Sequence, residues 1–162
     1  MNWEVLTAIS GVIASAAVVI SVVYLAKQIQ TNTIATHSQT HFATTTALAE
    51  TAANIASNND LSEVWRKGLS APGELDNDEF FRFALLGTSV FRNFETLYFQ
   101  HRTGLVSEEF WEGHQENILW FFHRPGIQMW WKEKRLGFGK DFREFLETSS
   151  QADVKSPNIR RV

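Results

Sequence analysis

Arg92 and Glu95 are the charged side chains of this sequence that are best placed for chemistry. They stand three residues apart in FRNFETLYFQHR, so a helix puts them on one side, among aromatic residues. An ion pair buried among rings has perturbed acid–base behaviour, as catalytic and ligand-binding groups do. The same arrangement also fixes helix register or a subunit contact. Arg92 and Glu95 are therefore a candidate buried ion pair, with a catalytic or ligand-binding role left open.

Histidine and carboxylate clusters do not complete a metal site in this sequence. His37 and His41 stand one helical turn apart and could share a metal ion, but no third ligand is nearby. Glu109, Glu112 and Glu116 share a helical face, which without the Glu-x-x-His motifs of di-iron proteins is typical of a solvated acidic surface. We predict no metal and no cofactor.

The sequence lacks the short motifs that bind phosphates or activate nucleophiles. It contains no GxxxxGK[ST], GxSxG, HExxH or glycine-rich dinucleotide turn. Cysteine is absent, which excludes a disulfide framework and a thiolate metal site. With 15 Lys+Arg against 18 Asp+Glu the net charge is −3, and no basic patch favours a nucleic-acid partner. We predict no catalytic residues, and a protein that is not an enzyme.

The element that locates the protein is its first helix. Every position from Val5 to Ala26 is uncharged. At 1.5 Å per residue such a helix is roughly 33 Å long, close to the roughly 30 Å hydrocarbon core of a bilayer. A signal peptide would carry a basic segment before a shorter apolar stretch, whereas Glu4 precedes this one. We predict a single-pass transmembrane anchor over 1–29, and Lys27 favours a cytoplasmic C-terminal domain.

Small and hydroxylated residues line one side of this helix. They recur every three or four positions, whereas larger Val and Ile side chains occupy the opposite side. Small residues let helix backbones approach closely in lipid, where packing and interhelical hydrogen bonds drive association. We predict a self-association seam or, alternatively, the wall of a pore if several copies form a ring. The seam comprises Thr7, Ser10, Gly11, Ala14, Ser15, Ala17, Ser21, Tyr24 and Gln28.

A polar segment continues the helix beyond the anchor. From Gln30 to Ala49 the sequence contains no Gly, no Pro and no charged side chain, so no turn signal separates it from the span. We predict one helix from about Trp3 to about Ser57, including a neck over 30–57. The threonine-rich face of this neck is expected to contact other subunits or a water-filled lumen.

Capping signals then define a helical domain. Asp60 with Glu63, and Asp76 with Glu79, have the spacing of a capping box, in which a side chain at each end binds the other residue's backbone. The second box predicts the longest helix of the domain, over about 77–102. No stretch shows the sustained alternation of a strand.

Glycine and proline divide the rest of the domain. Gly104 ends the long helix, Ser107 begins the next, and Pro125 separates that one from a shorter helix. The sequence therefore predicts an all-α fold, with one long N-terminal transmembrane helix continuing into a soluble bundle of four or five helices. The domain covers 58–149, and a polar tail follows over 150–162.

One aromatic stretch, ILWFFHRPGIQMWWKEKR, mixes rings with basic residues. Such a mixture suits a membrane surface, and it equally suits core packing. Trp120 lies off the apolar side that Trp111, Ile118 and Phe122 define. We therefore take Trp120 as a candidate exposed contact.

Several segments follow a pattern that extends over nearly all of the chain. The opening reads Trp3-Glu4 and then AAVVISVVYLAKQIQTNT, and the domain contains SNNDLSEVWRKGL, FRNFETLYFQHRTGLVSEEFWEG and PGIQMWWKEKR. This pattern resembles a family of uncharacterised small bacterial proteins with one N-terminal transmembrane helix and an α-helical domain. The resemblance implies that topology and no particular activity. In layout alone, the chain is also similar to the membrane accessory proteins of type VI-B CRISPR systems, which assemble into a membrane ring.

These features predict a membrane-anchored, self-associating helical protein that acts as an oligomeric structural or interaction component at the bacterial inner membrane. Its expected partners are the lipid bilayer, further copies of the same chain and an unidentified protein. One alternative is a pore-forming ring that permeabilises the membrane as a defence effector. The other is a ligand-binding or enzymatic helical domain centred on Arg92 and Glu95.

Overall fold

The computed structural model of the chain describes residues 3–149, with the side chains at 5–8, 10 and 12 outside the description. The predicted tail over 150–162, and the side chains of Thr7 and Ser10, therefore lie outside the described residues. Over the described range the chain is all-α, with six α-helices and no strand, as the sequence predicts. The helices are α1 (Trp3–Ser57), α2 (Asn59–Ser70), α3 (Asn77–Arg102), α4 (Glu108–Phe122), α5 (Pro125–Lys134) and α6 (Lys140–Thr148).

The chain divides into two compact units, residues 1–39 and residues 40–162. The first unit is described over the leading part of α1 alone. The second contains the end of α1 together with α2 to α6, and two short 3-10 turns at Pro72–Glu74 and Arg135–Gly137. Pro72 begins the first of these turns and presets the backbone angle that it needs.

The first unit is a helix with apolar side chains on several sides. Ile13, Val19 and Ile20 are each more than 60% exposed. The hydroxyls of Ser15 and Ser21 donate to the carbonyls of Gly11 and Ala17, each at 2.8 Å, so the few polar groups are satisfied within the helix. Within the described part of the chain, α1 is the one helix long and apolar enough to cross a membrane, and it lies near the N-terminus.

Local side-chain hydrogen bonds begin the helices of the second unit. At α3, Asp76 Oδ1 accepts from the Glu79 backbone at 2.8 Å and Glu79 Oε2 accepts from the Asp76 backbone at 2.9 Å, which confirms the predicted capping box. At α2 the predicted N-cap, Asp60, is wrong. Asn58 has the extended backbone of a cap and accepts from the Leu61 N–H at 3.1 Å. Asp60 lies in the first turn, where its carboxylate interacts favourably with the positive end of the helix dipole.

The end of α3 forms a Schellman motif around Gly104. This glycine has a φ of 71°, which lies in the left-handed region that residues with a Cβ rarely adopt. The Leu105 N–H donates to Gln100 O at 2.8 Å, and the Gly104 N–H donates to His101 O at 3.0 Å. These bonds satisfy two of the last carbonyls of the helix, as expected from the position of Gly104 in the sequence.

The core of the second unit is built from aromatic rings around α3. Phe83, Phe91 and Trp130 are fully buried, and the Phe91 and Trp130 ring centroids lie 5.3 Å apart. Because α3 is apolar nearly all round, its sequence predicts a central helix or one covered by another subunit. In the structure one side is buried, whereas Phe81 and Phe99 on the reverse side are 64% and 62% exposed.

Two glycines allow α2 to pack closely against α5 and α3. A Cβ at Gly126 would overlap the backbone carbonyl of Gly68, and a Cβ at Gly68 would overlap the ring of Phe83. Backbone atoms cannot move aside as a flexible side chain can. The contact between α2 and α5 therefore requires the absence of a side chain at Gly126.

Candidate functional site

The predicted seam lies on the exposed surface of α1. Its members with described side chains are all exposed in the chain, and Tyr24 is 69% exposed. A Cβ built at Gly11 would meet no heavy atom within 4 Å. The described members are Gly11, Ala14, Ser15, Ala17, Ser21, Tyr24 and Gln28.

Arg92 and Glu95 form an ion pair at the surface of the second unit. Arg92 Nη1 lies 2.6 Å from Glu95 Oε2, but the Arg92 side chain is 50% exposed and that of Glu95 is 22% exposed. The sequence-based expectation of a buried pair is therefore wrong. The reverse side of α3, where the pair lies, is largely open rather than enclosed by rings.

Both side chains of this pair also bind the loop between α5 and α6. Arg92 Nη2 donates to Gly137 O at 2.7 Å, and Glu95 Oε1 accepts from the Gly139 N–H at 2.6 Å. The Arg92 guanidinium also lies over the Phe138 ring, at 4.4 Å from its centroid. Arg92 and Glu95 thus form hydrogen bonds with the backbone of their own chain, which supports a structural role for the pair.

Trp120 is half-buried near the end of α4. The Arg124 guanidinium lies over its ring, with the Cζ atom 3.6 Å from the centroid, in a cation–π contact. Partial burial lowers the pKa of Arg124. Trp120, the predicted exposed contact, is therefore partly accessible, and an arginine of its own chain covers one face of its ring.

The histidines and carboxylates stay dispersed. No group of three or more of these side chains within the described residues could hold a metal ion. Instead His101 Nε2 lies 2.9 Å from Glu108 Oε2, and the His41 ring packs against Phe110 with centroids 4.1 Å apart. These contacts join α3 and the end of α1 to α4.

A cavity of about 420 Å³ lies between the end of α1 and helices α2, α3 and α4. Its volume falls in the range of small-molecule pockets, about 300 to 1,000 Å³. Its walls combine aliphatic and aromatic residues with a few amides, hydroxyls and an imidazole. The lining residues are Leu48, Thr51, Ala52, Ile55, Ala56, Ser62, Trp65, Val90, Asn93, Phe94, His114, Asn117 and Phe121.

Side-chain hydrogen bonds attach the α1 wall to α2 and α3. Thr44 Oγ1 lies 2.6 Å from Gln100 Oε1, Asn93 Nδ2 donates to Thr51 Oγ1 at 2.8 Å, and Ser62 Oγ donates to Ile55 O at 2.6 Å. Thr44 is only 6% exposed. The neck face at Thr44 was expected to meet other subunits or a lumen; here it meets α3 of the same chain.

Sequence reasoning does not find this cavity. Its lining residues come from four helices, and in the sequence they follow the pattern of ordinary core positions and caps. The one available signal is Asn93, an amide between the buried residues Phe91 and Phe94 in a helix interior, where a polar side chain needs a partner.

Comparisons with protein-family models, with curated proteins and with solved structures find no match to this chain. The resemblance to small bacterial membrane proteins therefore stays a prediction. The geometry of α1 and of the four-helix cavity is what supports a function.

Proposed function

We propose that this chain is a single-pass protein of the bacterial inner membrane, whose anchors associate with further copies and whose helical domain lies in the cytoplasm. In this role it acts as an oligomeric structural or interaction component. The observation that carries the proposal is the exposure of large apolar side chains along the first unit of α1, with Ile20 at 68% and Val23 at 62%.

A bilayer is the environment that suits this surface. Burial of apolar area yields about 25 cal/mol per Å², so a helix with exposed Val and Ile side chains on several sides is unstable in water. Its backbone groups are bonded within the helix, as lipid requires. The hydroxyls of Ser15 and Ser21 meet the same requirement, because both already donate to carbonyls of α1.

The seam supports self-association rather than lipid contact on every side. Gly11, Ala14 and Ala17 are too small to fill the space beside the helix with their own side chains, so a second backbone can approach closely there. The cytoplasmic orientation follows from Lys27 at the end of the span, since basic residues favour the cytoplasmic side. The bacterial location follows from the family resemblance.

The oligomeric state in lipid tests this proposal. The full chain would be placed in nanodiscs or a mild detergent, and its mass measured by light scattering over a range of protein-to-lipid ratios. Ala17→Leu puts a large side chain into the seam and is expected to raise the dissociation constant about tenfold or more, a loss of about 1.4 kcal/mol.

A matched variant on the other side of the helix supplies the control. Ala16→Leu makes the same change in the span, but position 16 lies on the side opposite the seam and is expected to leave the assembly unchanged. A monomer at every protein-to-lipid ratio would contradict the proposal, as would equal effects of the two substitutions.

A further inference from the structure

We propose that the cavity between α1, α2, α3 and α4 binds a neutral, mostly apolar small molecule that carries a hydroxyl or N–H group. The cavity belongs entirely to the second unit, so this inference goes beyond self-association and does not depend on it. The chemistry of the lining residues defines the class of ligand.

The walls exclude a charged ligand. Leu48, Ile55, Val90 and Phe94 supply apolar surface, and none of the lining residues is Asp, Glu, Lys or Arg. An ion in such a cavity would give up part of its hydration without meeting a carboxylate, ammonium or guanidinium group of opposite charge, which is unfavourable. The ligand is therefore neutral and buries apolar area.

Asn93 presents a hydrogen-bond acceptor at the cavity. Thr51 Oγ1 donates to Ala47 O at 2.9 Å, so this hydroxyl must accept from Asn93, and the Asn93 NH₂ group faces α1. The carbonyl Oδ1 is therefore fixed as the free end of the amide, and no described residue donates to it. A ligand N–H or O–H group would satisfy it.

His114 presents a second acceptor. Its Nδ1 lies 2.8 Å from Phe110 O, and because a carbonyl can only accept, Nδ1 carries a proton. In the neutral ring the other nitrogen, Nε2, is then an acceptor. Among the described residues no donor pairs with this Nε2 atom. Two acceptors from α3 and α4 thus line a mostly apolar cavity, and they select for a ligand that donates.

The cavity is accessible without unfolding. Ala52, Ala56 and Asn117 line it and are exposed to solvent, so its mouth opens beside the end of α1. The side chains of Ala52 and Ala56 are single methyl groups, so they leave the mouth of the cavity wide. The Asn117 amide at the rim can both donate to a ligand hydroxyl and accept from it.

Matched probes test the ligand class. The full chain in nanodiscs would be titrated with 4-butylphenol, with its methyl ether 4-butylanisole, and with 4-butylbenzoate, and binding followed by calorimetry. We expect the phenol to bind at least about fivefold more tightly than the ether, because only the phenol donates a hydrogen bond. The benzoate is expected to bind more weakly than either.

Matched variants separate the cavity from binding to lipid. Ala52→Phe fills the mouth and is expected to reduce phenol binding at least about tenfold, the equivalent of about 1.4 kcal/mol. Ala53→Phe places the same ring on the neighbouring exposed position, which does not line the cavity, and should bind like the unmodified chain. Ala56→Phe gives a second block of the mouth, to be used where Ala52→Phe alters the circular dichroism spectrum.

His114→Phe tests the donor preference. The His114 ring packs against Phe110, with ring centroids 4.3 Å apart. The substitution keeps a ring at this position but removes the Nε2 acceptor. The preference for the phenol over the ether is expected to fall about twofold or more. Equal binding by Ala52→Phe and Ala53→Phe would overturn the proposal, and so would equal binding of phenol and ether, or preferred binding of the benzoate, by the unmodified chain.

Discussion

The two ends of α1 differ in how their apolar residues are spaced. In the first unit, apolar side chains occupy several sides of the helix. Val19, Ile20 and Val23 belong to this group, and all three are exposed. In the second unit Leu48 and Ile55 lie two turns apart on one face and pack against the core of α2 to α6. One helix therefore contains two kinds of surface, one suited to a bilayer and one suited to a protein core. The spacing of large apolar side chains around α1 therefore indicates what covers each part of the helix.

The polar residues of α1 show the same difference. Glu50 and Asn54 are exposed on the side of the helix away from the cavity, so the end of α1 is amphipathic. The span has no such charged side between Val5 and Ala26. Substitutions that affect one region and spare the other can therefore test the comparison.

The largest effect is expected for Gly126→Ala in the second unit. The added methyl group would overlap the Gly68 carbonyl, so α2 and α5 must separate. Overpacking of this kind typically lowers the free energy of unfolding by about 1 to 3 kcal/mol. Because the added methyl group meets backbone, we expect a loss of about 3 kcal/mol or more here. Denaturant unfolding of the full chain in detergent, followed by tryptophan fluorescence, would measure the loss.

Gly113→Ala is the matched control for this substitution. Gly113 lies inside α4, and a Cβ there would meet nothing within 4 Å. Because alanine favours helix more than glycine does, we expect a gain of up to about 1 kcal/mol. If Gly126→Ala were as stable as Gly113→Ala, the close packing of α2 against α5 would be disproved.

The next effect is expected for Ile20→Lys in the first unit. A lysine inside a span costs up to about 2.5 to 3.5 kcal/mol on insertion scales, so the fraction of protein extracted with membranes should fall. The unfolding midpoint of the helical domain should stay unchanged, because Ile20 belongs to the other unit. Cells that express each variant would be separated into membrane and soluble fractions, and the share of the protein in the membrane fraction would be measured.

Asn54→Lys tests whether the position of the charge matters. Asn54 is exposed on α1 outside the span, so a lysine there remains in water. Its membrane fraction should equal that of the unmodified chain. A comparable loss in both variants would mean that the first unit of α1 is not the anchor.

The smallest effect is expected at the ion pair between α2 and α3. Lys67 Nζ lies 2.8 Å from Glu79 Oε2, and the hydrogen bond from Lys67 lowers the pKa of Glu79, with a further contribution from the Asp76 N–H. A lowered carboxyl pKa adds stability above the unfolded-state pKa, and this stability is lost as pH falls through the folded-state value. Glu79→Gln, which keeps the capping geometry, should therefore be less stable near neutral pH and converge with the unmodified chain in acid.

Unfolding at several pH values would measure this dependence. Glu63→Gln serves as the control, because Glu63 is exposed and forms no ion pair among the described residues. Its pH profile should match that of the unmodified chain. A constant difference between Glu79→Gln and the unmodified chain from neutral pH into acid would exclude the Lys67 contact as its source.

The helix boundaries were predictable because local groups set them. The bounds of α1 and α3 agree with those expected from the absence of turn signals before Ser57, the box at Asp76 and the glycine at position 104. The N-cap of α2 was placed two residues late, because Asn58 and Asp60 both have side chains that can cap. Local competition of this kind is settled by backbone geometry, which the sequence does not state.

The site features were less predictable because their partners are distant in sequence. The position of Arg92 and Glu95 three residues apart predicts an ion pair, but their bonds to Gly137 and Gly139 depend on where α6 packs. The cavity likewise requires four helices to be placed together. The seam is different, since a helix with a regular pattern fixes which residues share a side.

The bonds of Thr44 to Gln100 and of Thr51 to Asn93 determine how far α1 can slide along α3. The two threonines are two turns apart on α1, and their partners are two turns apart on α3. The later threonine bonds the earlier partner, so the two helices run in opposite directions. A displacement of one turn would set Leu48 against an amide and break both bonds. A displacement of two turns would also break both bonds, and it would place only one threonine opposite an amide, that of the other pair. The axial position of this end of α1 against α3 is therefore specified by polar groups.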